Sequence, residues 1–273
     1  MRGMFTCGVF DVFMEQGITF DGAAGVSAGA VFGCNYKSRQ IGRALRYNMR
    51  YCRDWRYCSL RSLIATGDLY GADFCYREIP DVLDPFDREA FRANPMAFWI
   101  GATDVRTGRA VYHRCTDGGA EDMLWLRASA SMPLVSRVVE ADGHQLLDGG
   151  IADAVPYRMM MDRVYDRNVI VLTQPEGYRK QPTSRMMAGA MRKYPKIAEA
   201  LSVRHEMYNR QMDELDAMKD ALIIRPPRVL GIRRTERNPS ELERVYRIGV
   251  AVAENALADV TRFLSQSSEM AQR

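Results

Sequence analysis

The chain has 273 residues, of which 47% are hydrophobic and 26% charged, and its formal net charge at pH 7 is +4. This composition is typical of a soluble globular protein and excludes disordered and collagen-like chains. Basic residues are scattered among nearly as many acidic ones, so no nucleic-acid partner is expected. The length predicts one domain over residues 1–273, with a core over about 1–175 and a C-terminal helical and strand extension over about 176–273.

The cysteines and the apolar runs indicate a location. Six cysteines without a C-x-x-C pair predict free thiols in a reducing environment. There is no N-terminal signal pattern and no apolar run of bilayer length. A cytoplasmic location is therefore expected.

The order of predicted elements indicates an α/β fold. Residues 4–16 place apolar side chains at helical spacing, with Gly17 as a stop signal. A strand within 17–25 leads to Ser27, and the small residues that follow predict a tightly packed helix. Further strands are predicted at 97–103, 109–113, 137–141, 168–173 and 221–225, and long helices at 196–220 and 240–264. Strands that alternate with helices in this way predict packed layers of helices and sheet.

Ser27 is the centre of a G-x-S-x-G pentapeptide, "GVSAG", at residues 25–29. Gly25 and Gly29 would tolerate a strained turn and leave room around the serine. A helix N-terminus also favours negative charge nearby. The strand–turn–helix context therefore predicts that Ser27 is a nucleophile.

A histidine is the usual proton acceptor for such a serine, and the chain has His113, His144 and His205. The order Ser27, Asp148, His205 formally matches an α/β-hydrolase. That fold, however, builds several strands before its nucleophile, and here only about two dozen residues precede the serine. A structural or surface role is expected for each histidine.

A carboxylate can accept the proton instead, if burial or a short hydrogen bond raises its basicity. Two Asp-Gly-Gly sites compete for this role, at Asp117 and Asp148. Asp117 is followed by further acids and is typical of a solvated turn. Asp148 follows a short apolar stretch and precedes Gly149 and Gly150, which predicts a strand end with backbone freedom beside it.

Several blocks in the sequence resemble the bacterial patatin-like phospholipase family, whose lipid acyl hydrolases use a Ser–Asp dyad. The blocks are "RGMFTCGVFDVFMEQGI", "GVSAGAVFG", "ATDVRTG", "LRASASMPLVSRVVEADGHQLLDGGIADAVP" and "VLTQPEGYRK". The resemblance implies a three-layer α/β/α fold with a mostly parallel central sheet. It also implies that Ser27 is the nucleophile and Asp148 the base, that Gly149 and Gly150 support the backbone geometry, and that no cofactor or metal takes part.

The opening "MRGMF" departs from the family pattern. The family usually begins with a strand and a glycine-rich run ending in Arg or Lys and then Gly, whose backbone N–H groups bind the oxyanion. The resemblance places Arg2, Gly3 and Met4 at this loop, while the preceding glycines and the first family strand are missing. We expect the natural chain to start upstream of Met1, and an unpaired edge in the sheet where that strand would lie.

Two functions remain open at this point. The first is an esterase of the phospholipase A or lysophospholipase type, acting on lipid acyl esters. The second is a catalytically weak lipid- or acyl-binding protein of the same fold, without a complete oxyanion hole. The methionine-rich and basic segment 178–196 is either a flap contacting the inner membrane surface or a solvated loop and helix whose methionines pack on the core.

Overall fold

The computed structural model describes residues 1–163, 165, 167–184 and 189–265. Its strands are β1 (Gly22–Val26), β2 (Ala97–Asp104), β3 (Ala110–Arg114), β4 (Val139–Ala141), β5 (His144–Asp148), β6 (Asn168–Val171) and β7 (Ala221–Ile224). Its helices are α1 (Met4–Glu15), α2 (Ala28–Lys37), α3 (Arg43–Tyr51), α4 (Leu60–Thr66), α5 (Arg88–Ala93), α6 (Ala120–Ser129), α7 (Tyr157–Met161), α8 (Pro195–Asp216) and α9 (Pro239–Ser265). A π-helical segment covers Phe74–Leu83, and a 3₁₀ turn covers Gly149–Ile151. A central sheet flanked by helices confirms the predicted α/β class.

The central sheet has five strands and a mixed arrangement. Strand β1 runs parallel to β2, whereas β3 and β5 pair with β2 in antiparallel fashion and β4 pairs antiparallel with β5. The prediction of a mostly parallel central sheet was therefore wrong. The physical reason is loop length, because the short connections between β2 and β3 and between β4 and β5 allow only hairpins. Asp142 and Gly143, both at positive φ, form the two-residue β4–β5 turn.

Strands β1 and β5 lie on the same edge of β2. Strand β3 pairs with residues 99–103 of β2, which fills one edge. Strand β1 pairs with 97–101 and β5 with 102–104, so both occupy the opposite edge. Because β1 is parallel and β5 antiparallel to β2, their carboxyl ends point towards each other and meet at its middle. This arrangement brings the residues after two distant strands together.

A second sheet contains the parallel strands β6 and β7. Among the described residues, β1 pairs only with β2, and β6 pairs only with β7. One edge of β1 is therefore unpaired within this part of the chain.

Helices α1 and α9 pack closely through glycines. A Cβ atom on Gly8 would lie 2.2 Å from the Tyr246 carbonyl oxygen, and one on Gly249 would lie 2.0 Å from that of Phe5. Only glycine permits this approach, so the C-terminal helix is held against α1. Leu242 and Val245 of α9 are fully buried in the main core with Phe5.

The state of the cysteines and the apolar character of the helices can be compared with the sequence-based expectations. All six cysteines are free thiols. Among the helices of the described residues, none combines the length and the apolar character needed to cross a bilayer.

Candidate active site

Ser27 lies at the turn between β1 and α2 in a strained backbone conformation. Its φ is 54° and its ψ is −122°, a region that L-residues rarely adopt. A Cβ atom on Gly25 would lie 2.5 Å from the Gly29 carbonyl oxygen and 2.6 Å from the Ala30 Cα, so this position requires glycine. At Gly29 a Cβ atom would meet nothing within 4 Å. Of the two glycines predicted to shape the turn, the packing requires only Gly25.

Asp148 ends β5 and meets Ser27 where the two strand ends converge. The Ser27 Oγ donates a hydrogen bond to the Asp148 Oδ2 at 2.7 Å. The second carboxylate oxygen, Oδ1, accepts the Gly150 N–H at 2.8 Å. The structure thus brings together the two residues that the sequence analysis proposed as nucleophile and base.

Burial governs the proton affinity of Asp148, which is only 7% exposed. Burial raises the pKa of this carboxyl above its ordinary value, and this effect outweighs the hydrogen bonds from Ser27 and Gly150 and the attraction of Arg204. A carboxylate with a raised pKa is a better proton acceptor than an exposed one.

The glycines after Asp148 serve the close approach of β5 to β2. A Cβ atom on Gly149 would lie 2.2 Å from the Gly101 carbonyl oxygen. The Thr103 Oγ1 donates to the Asp148 carbonyl oxygen at 2.9 Å. These contacts fix the position of Asp148 beside Ala102 of β2, with which it pairs.

Ser129, the last residue of α6, and Ser131, two residues later, support both strand ends. The Ser27 N–H donates to the Ser129 Oγ at 2.8 Å, and that hydroxyl donates to the Gly101 carbonyl oxygen at 2.6 Å. The Asp148 N–H donates to the Ser131 carbonyl oxygen at 2.7 Å. The sequence analysis gave neither serine nor Thr103 a role, although all three lie within blocks of the family resemblance.

The N-termini of α1 and α2 meet beside Ser27. A Cβ atom on Gly3 would lie 2.5 Å from the Phe32 ring and 2.9 Å from the Ala28 Cβ, so the two helix starts are in contact. The Met4 N–H donates to the Met1 carbonyl oxygen at 3.2 Å and is therefore occupied. Within the described residues, the N–H groups of Gly3 and Ala28 have no acceptor, as the first N–H groups of a helix usually lack one.

Ser27 and Asp148 line a cavity of about 1720 Å³. Apolar and aromatic side chains such as Phe32, Tyr76 and Met132 line it. An apolar and aromatic lining beside polar groups that can orient a ligand is typical of small-molecule sites.

The cavity also contains basic side chains that the sequence analysis did not connect with the serine. Arg204 of α8 donates through its Nε to the Gly150 carbonyl oxygen. The Lys180 Nζ lies 4.0 Å from the centre of the Tyr208 ring. Lys180 lies within a block of the family resemblance, whereas Arg204, in the middle of a long helix, has no local sequence signal.

The competing proton acceptors lie elsewhere. The His113 Nε2 is 2.7 Å from an Asp122 oxygen, and the His144 Nδ1 is 2.7 Å from an Asp104 oxygen. Asp117 accepts the N–H of Gly119 in its own turn at 2.8 Å.

His205 lies on α8, where its Nε2 is 3.7 Å from an oxygen of the neighbouring Glu206. Neither Asp117 nor any of the three histidines forms a hydrogen bond with Ser27 in the described part of the chain.

Within the described residues, two groups of His, Cys, Asp and Glu side chains could hold a metal ion, and neither includes Asp148. The first contains His113, Cys115 and Asp122, and the second His113, Glu121 and Asp142. Burial raises the pKa of Cys115, which keeps the thiol protonated and unsuited to bind a metal. The Asp122 carboxylate already accepts backbone N–H groups as well as its histidine bond.

The segment 178–196, predicted as a membrane-surface flap or a core-packed loop and helix, is only partly described. Residues 185–188 lie outside the described residues. Met191 is 3% exposed and packs with Ile197 and Leu201, whereas Arg192 and Lys193 are exposed. Met191 is therefore a core side chain.

Comparisons with known proteins show the family of this chain. The family described as patatin-like phospholipase matches residues 1–161, and one described as a domain of unknown function (DUF6363) matches residues 194–265. The first match covers more than half of the chain, which therefore belongs to the patatin-like phospholipase family. The predicted family is thus confirmed, and it is a family of lipid acyl hydrolases.

The relatives resemble this chain over part of their length. An uncharacterized NTE family protein of Mycobacterium tuberculosis is 28% identical over 155 residues, which cover 57% of this chain and 41% of the relative. The uncharacterized protein YjjU of Escherichia coli is 30% identical over 184 residues, which cover 64% of this chain and 49% of the relative. The chain thus matches less than half of each of these proteins. The crystal structure of VipD from Legionella pneumophila aligns over 93% of this chain and 65% of that chain, with 12% identity and a TM-score of 0.41.

Proposed function

We propose that this protein is a serine acyl hydrolase that cleaves acyl esters of phospholipids or lysophospholipids through Ser27 and Asp148. The observation that carries the proposal is the 2.7 Å hydrogen bond between the Ser27 Oγ and the Asp148 Oδ2, inside a cavity of about 1720 Å³. Family membership supports the reaction class, since the family consists of lipid acyl hydrolases.

The first half of the reaction forms an acyl-enzyme. The Ser27 Oγ attacks the ester carbonyl carbon while its proton passes to the Asp148 Oδ2. The carbonyl oxygen becomes an oxyanion, which the N–H groups of Gly3 and Ala28 stabilise together with the N-termini of α1 and α2. The C–O bond to the alcohol then breaks, and Asp148 returns the proton to the leaving oxygen.

The second half releases the acid. Asp148, again ionised, takes a proton from a water molecule that attacks the acyl-enzyme carbonyl carbon. The second tetrahedral intermediate collapses, the proton passes to the Ser27 Oγ, and the carboxylic acid leaves. The raised pKa of Asp148 suits both steps, since the same group must accept and return a proton.

A fluorophosphonate probe and a p-nitrophenyl ester test the proposal. The intact protein is expected to be labelled and to hydrolyse the ester, and Ser27→Ala is expected to lose both. Ser202→Ala is a matched control, because Ser202 is exposed on α8 and its hydroxyl only bonds the Glu199 carbonyl oxygen. An intact protein that is neither labelled nor active would contradict the proposal and favour a lipid- or acyl-binding protein.

A further inference from the structure

The cavity around Ser27 has an excess of positive charge. Among the described residues its wall contains seven basic ones, whereas Asp21 and Asp148 are the only carboxylate residues there. The seven are Arg2, Arg43, Arg167, Lys180, Arg204, Arg233 and Arg234. Arg2, Lys180 and Arg204 are each partly buried, and Arg234 is exposed. The Arg234 carbonyl oxygen accepts the Tyr70 hydroxyl at 2.8 Å, which anchors its segment to the rest of the cavity wall.

Four of these cations, Arg2, Lys180, Arg204 and Arg234, form no ion pair with a carboxylate among the described residues. Arg179, next in sequence to Lys180, forms an ion pair with Asp213 at the surface. Arg43 of the cavity wall is likewise paired, with Asp84. By contrast, none of Arg2, Lys180, Arg204 and Arg234 has a carboxylate oxygen within 4.0 Å in the part of the chain that the structure describes.

The cations also repel one another. Burial, together with repulsion from Arg204 and Arg2, lowers the pKa of Lys180 to about 7. Buried like charges of this kind are costly unless a counter-charge accompanies them. An anionic ligand would supply that counter-charge.

We propose that Arg2, Lys180, Arg204 and Arg234 bind the phosphate monoester group of the substrate, so that the preferred substrate class is acylglycerol phosphates without a cationic head group. This proposal rests on the proposed hydrolysis at Ser27. A phosphate monoester carries close to two negative charges at neutral pH and offers acceptor oxygens to several donors at once. A choline or ethanolamine head group would instead bring another cation into a positive site.

The site also gives a role to the C-terminal region. Arg204 and Arg234 lie within residues 194–265, which match a domain of unknown function, whereas Ser27 and Asp148 lie within the patatin-like match of 1–161. Arg204 links the two matched regions, because its Nε donates a hydrogen bond to the carbonyl oxygen of Gly150, two residues after Asp148. The C-terminal region thus contributes head-group recognition to a reaction whose reacting groups come from the N-terminal region.

A substrate series tests the proposal on the full chain. We compare kcat/KM for a monoacylglycerol phosphate, the monoacylglycerol of the same chain length and the matching phosphocholine ester. The intact protein is expected to prefer the phosphate monoester over both. Lys180→Met is expected to reduce the phosphate-to-neutral ratio of kcat/KM about 10- to 100-fold, because it removes a charge-assisted contact. Lys180→Arg is expected to keep most of the preference.

Lys219→Met is the matched control, since Lys219 is exposed and lies outside the cavity wall. It is expected to leave the ratio unchanged. An intact protein without preference for the phosphate monoester, or a Lys180→Met variant with an unchanged ratio, would overturn the proposal while leaving the hydrolysis at Ser27 intact.

A binding measurement separates this proposal from the proposed hydrolysis. Glycerol 3-phosphate and inorganic phosphate are titrated by calorimetry into the intact protein, Lys180→Met and Lys219→Met. Binding that is weakened only in Lys180→Met supports a phosphate site, even if no ester is hydrolysed and the proposed function fails. If the esters are hydrolysed without preference for the phosphate monoester, binding of the free phosphates would identify a site for free phosphate and overturn the head-group assignment. The absence of binding would overturn it as well.

Discussion

Two buried aspartates of this protein accept similar hydrogen bonds and differ in proton affinity. Asp148 accepts the Ser27 hydroxyl at 2.7 Å, and one oxygen of Asp122 lies 2.7 Å from the His113 Nε2. Burial raises the pKa of Asp148, and few donors oppose it. Burial alone would also raise the pKa of Asp122, but hydrogen bonds from His113 and from the N–H groups of Gly118 and Thr116 outweigh it and lower the pKa.

The difference shows that a short hydrogen bond to a buried carboxylate does not by itself make a base. The number of hydrogen-bond donors around a buried carboxyl group decides whether its protonated or its ionised form is favoured. Asp122, surrounded by donors, is an anchor for the loop before α6. Asp148, whose oxygens accept one N–H and one hydroxyl, keeps the basicity that the proposed proton transfer needs.

The largest expected effect comes from replacing each aspartate by asparagine and measuring ester hydrolysis. Asp148→Asn removes the proposed base and is expected to lower kcat/KM about 10²- to 10⁴-fold. Asp122→Asn, outside the cavity wall, is expected to change it by less than about threefold. Similar losses in both folded variants would contradict the distinction between the two aspartates.

The second prediction concerns a variant, Gly149→Ala, that displaces Asp148 without altering its charge. Gly149→Ala would place a Cβ atom 2.2 Å from the Gly101 carbonyl oxygen and push β5 from β2. We expect a loss of about 1–3 kcal/mol in the free energy of unfolding and a marked loss of activity. Gly29→Ala, where a Cβ atom meets nothing within 4 Å, is the control and should retain full stability. Denaturant unfolding of both variants measures the difference.

A third prediction concerns how stability depends on pH. The pKa of Asp148 is raised in the folded state, so its ionised carboxylate costs stability above that pKa, and the cost disappears as pH falls towards the unfolded value. Asp148→Asn is therefore expected to raise the free energy of unfolding at pH 7 and to change it less in acid.

Asp122 is expected to behave in the opposite way. Its pKa is lowered in the folded state, so its contribution is present above the unfolded pKa and is lost as pH falls through the folded pKa. Asp122→Asn should cost about 1–3 kcal/mol at pH 7 and less in acid. Unfolding curves at several pH values that show the same sign for both variants would contradict the assigned directions.

The smallest loss of activity is expected at Ser129, whose hydroxyl accepts the Ser27 N–H and donates to the Gly101 carbonyl oxygen. Ser129→Ala leaves both backbone groups unpaired and should cost about 1–2 kcal/mol of stability, with a loss of activity near tenfold. Ser131→Ala is the matched control, because its hydroxyl only bonds the Arg127 carbonyl oxygen. Equal activity in the two variants would show that Ser129 does not position Ser27.

The sequence by itself determined the local parts of this protein. Helical spacing in residues 4–16 predicted α1, and apolar runs predicted β2, β6 and β7 within a few residues of their ends. The "GVSAG" turn and the strand end at Asp148 were readable for the same reason, since each depends on glycines and apolar residues that are neighbours in the chain.

Only the tertiary structure decided how these parts meet. Ser27 and Asp148 are neighbours because β1 and β5 share one edge of β2, a matter of strand register that no local pattern specifies. The mixed sheet follows from the same pairing. Arg204 and Arg234 reach the cavity from a region more than fifty residues after Asp148, where their sequence neighbours resemble any solvated helix or loop. Side chains so far apart in the sequence come to line one cavity only through packing, and that packing depends on the whole chain.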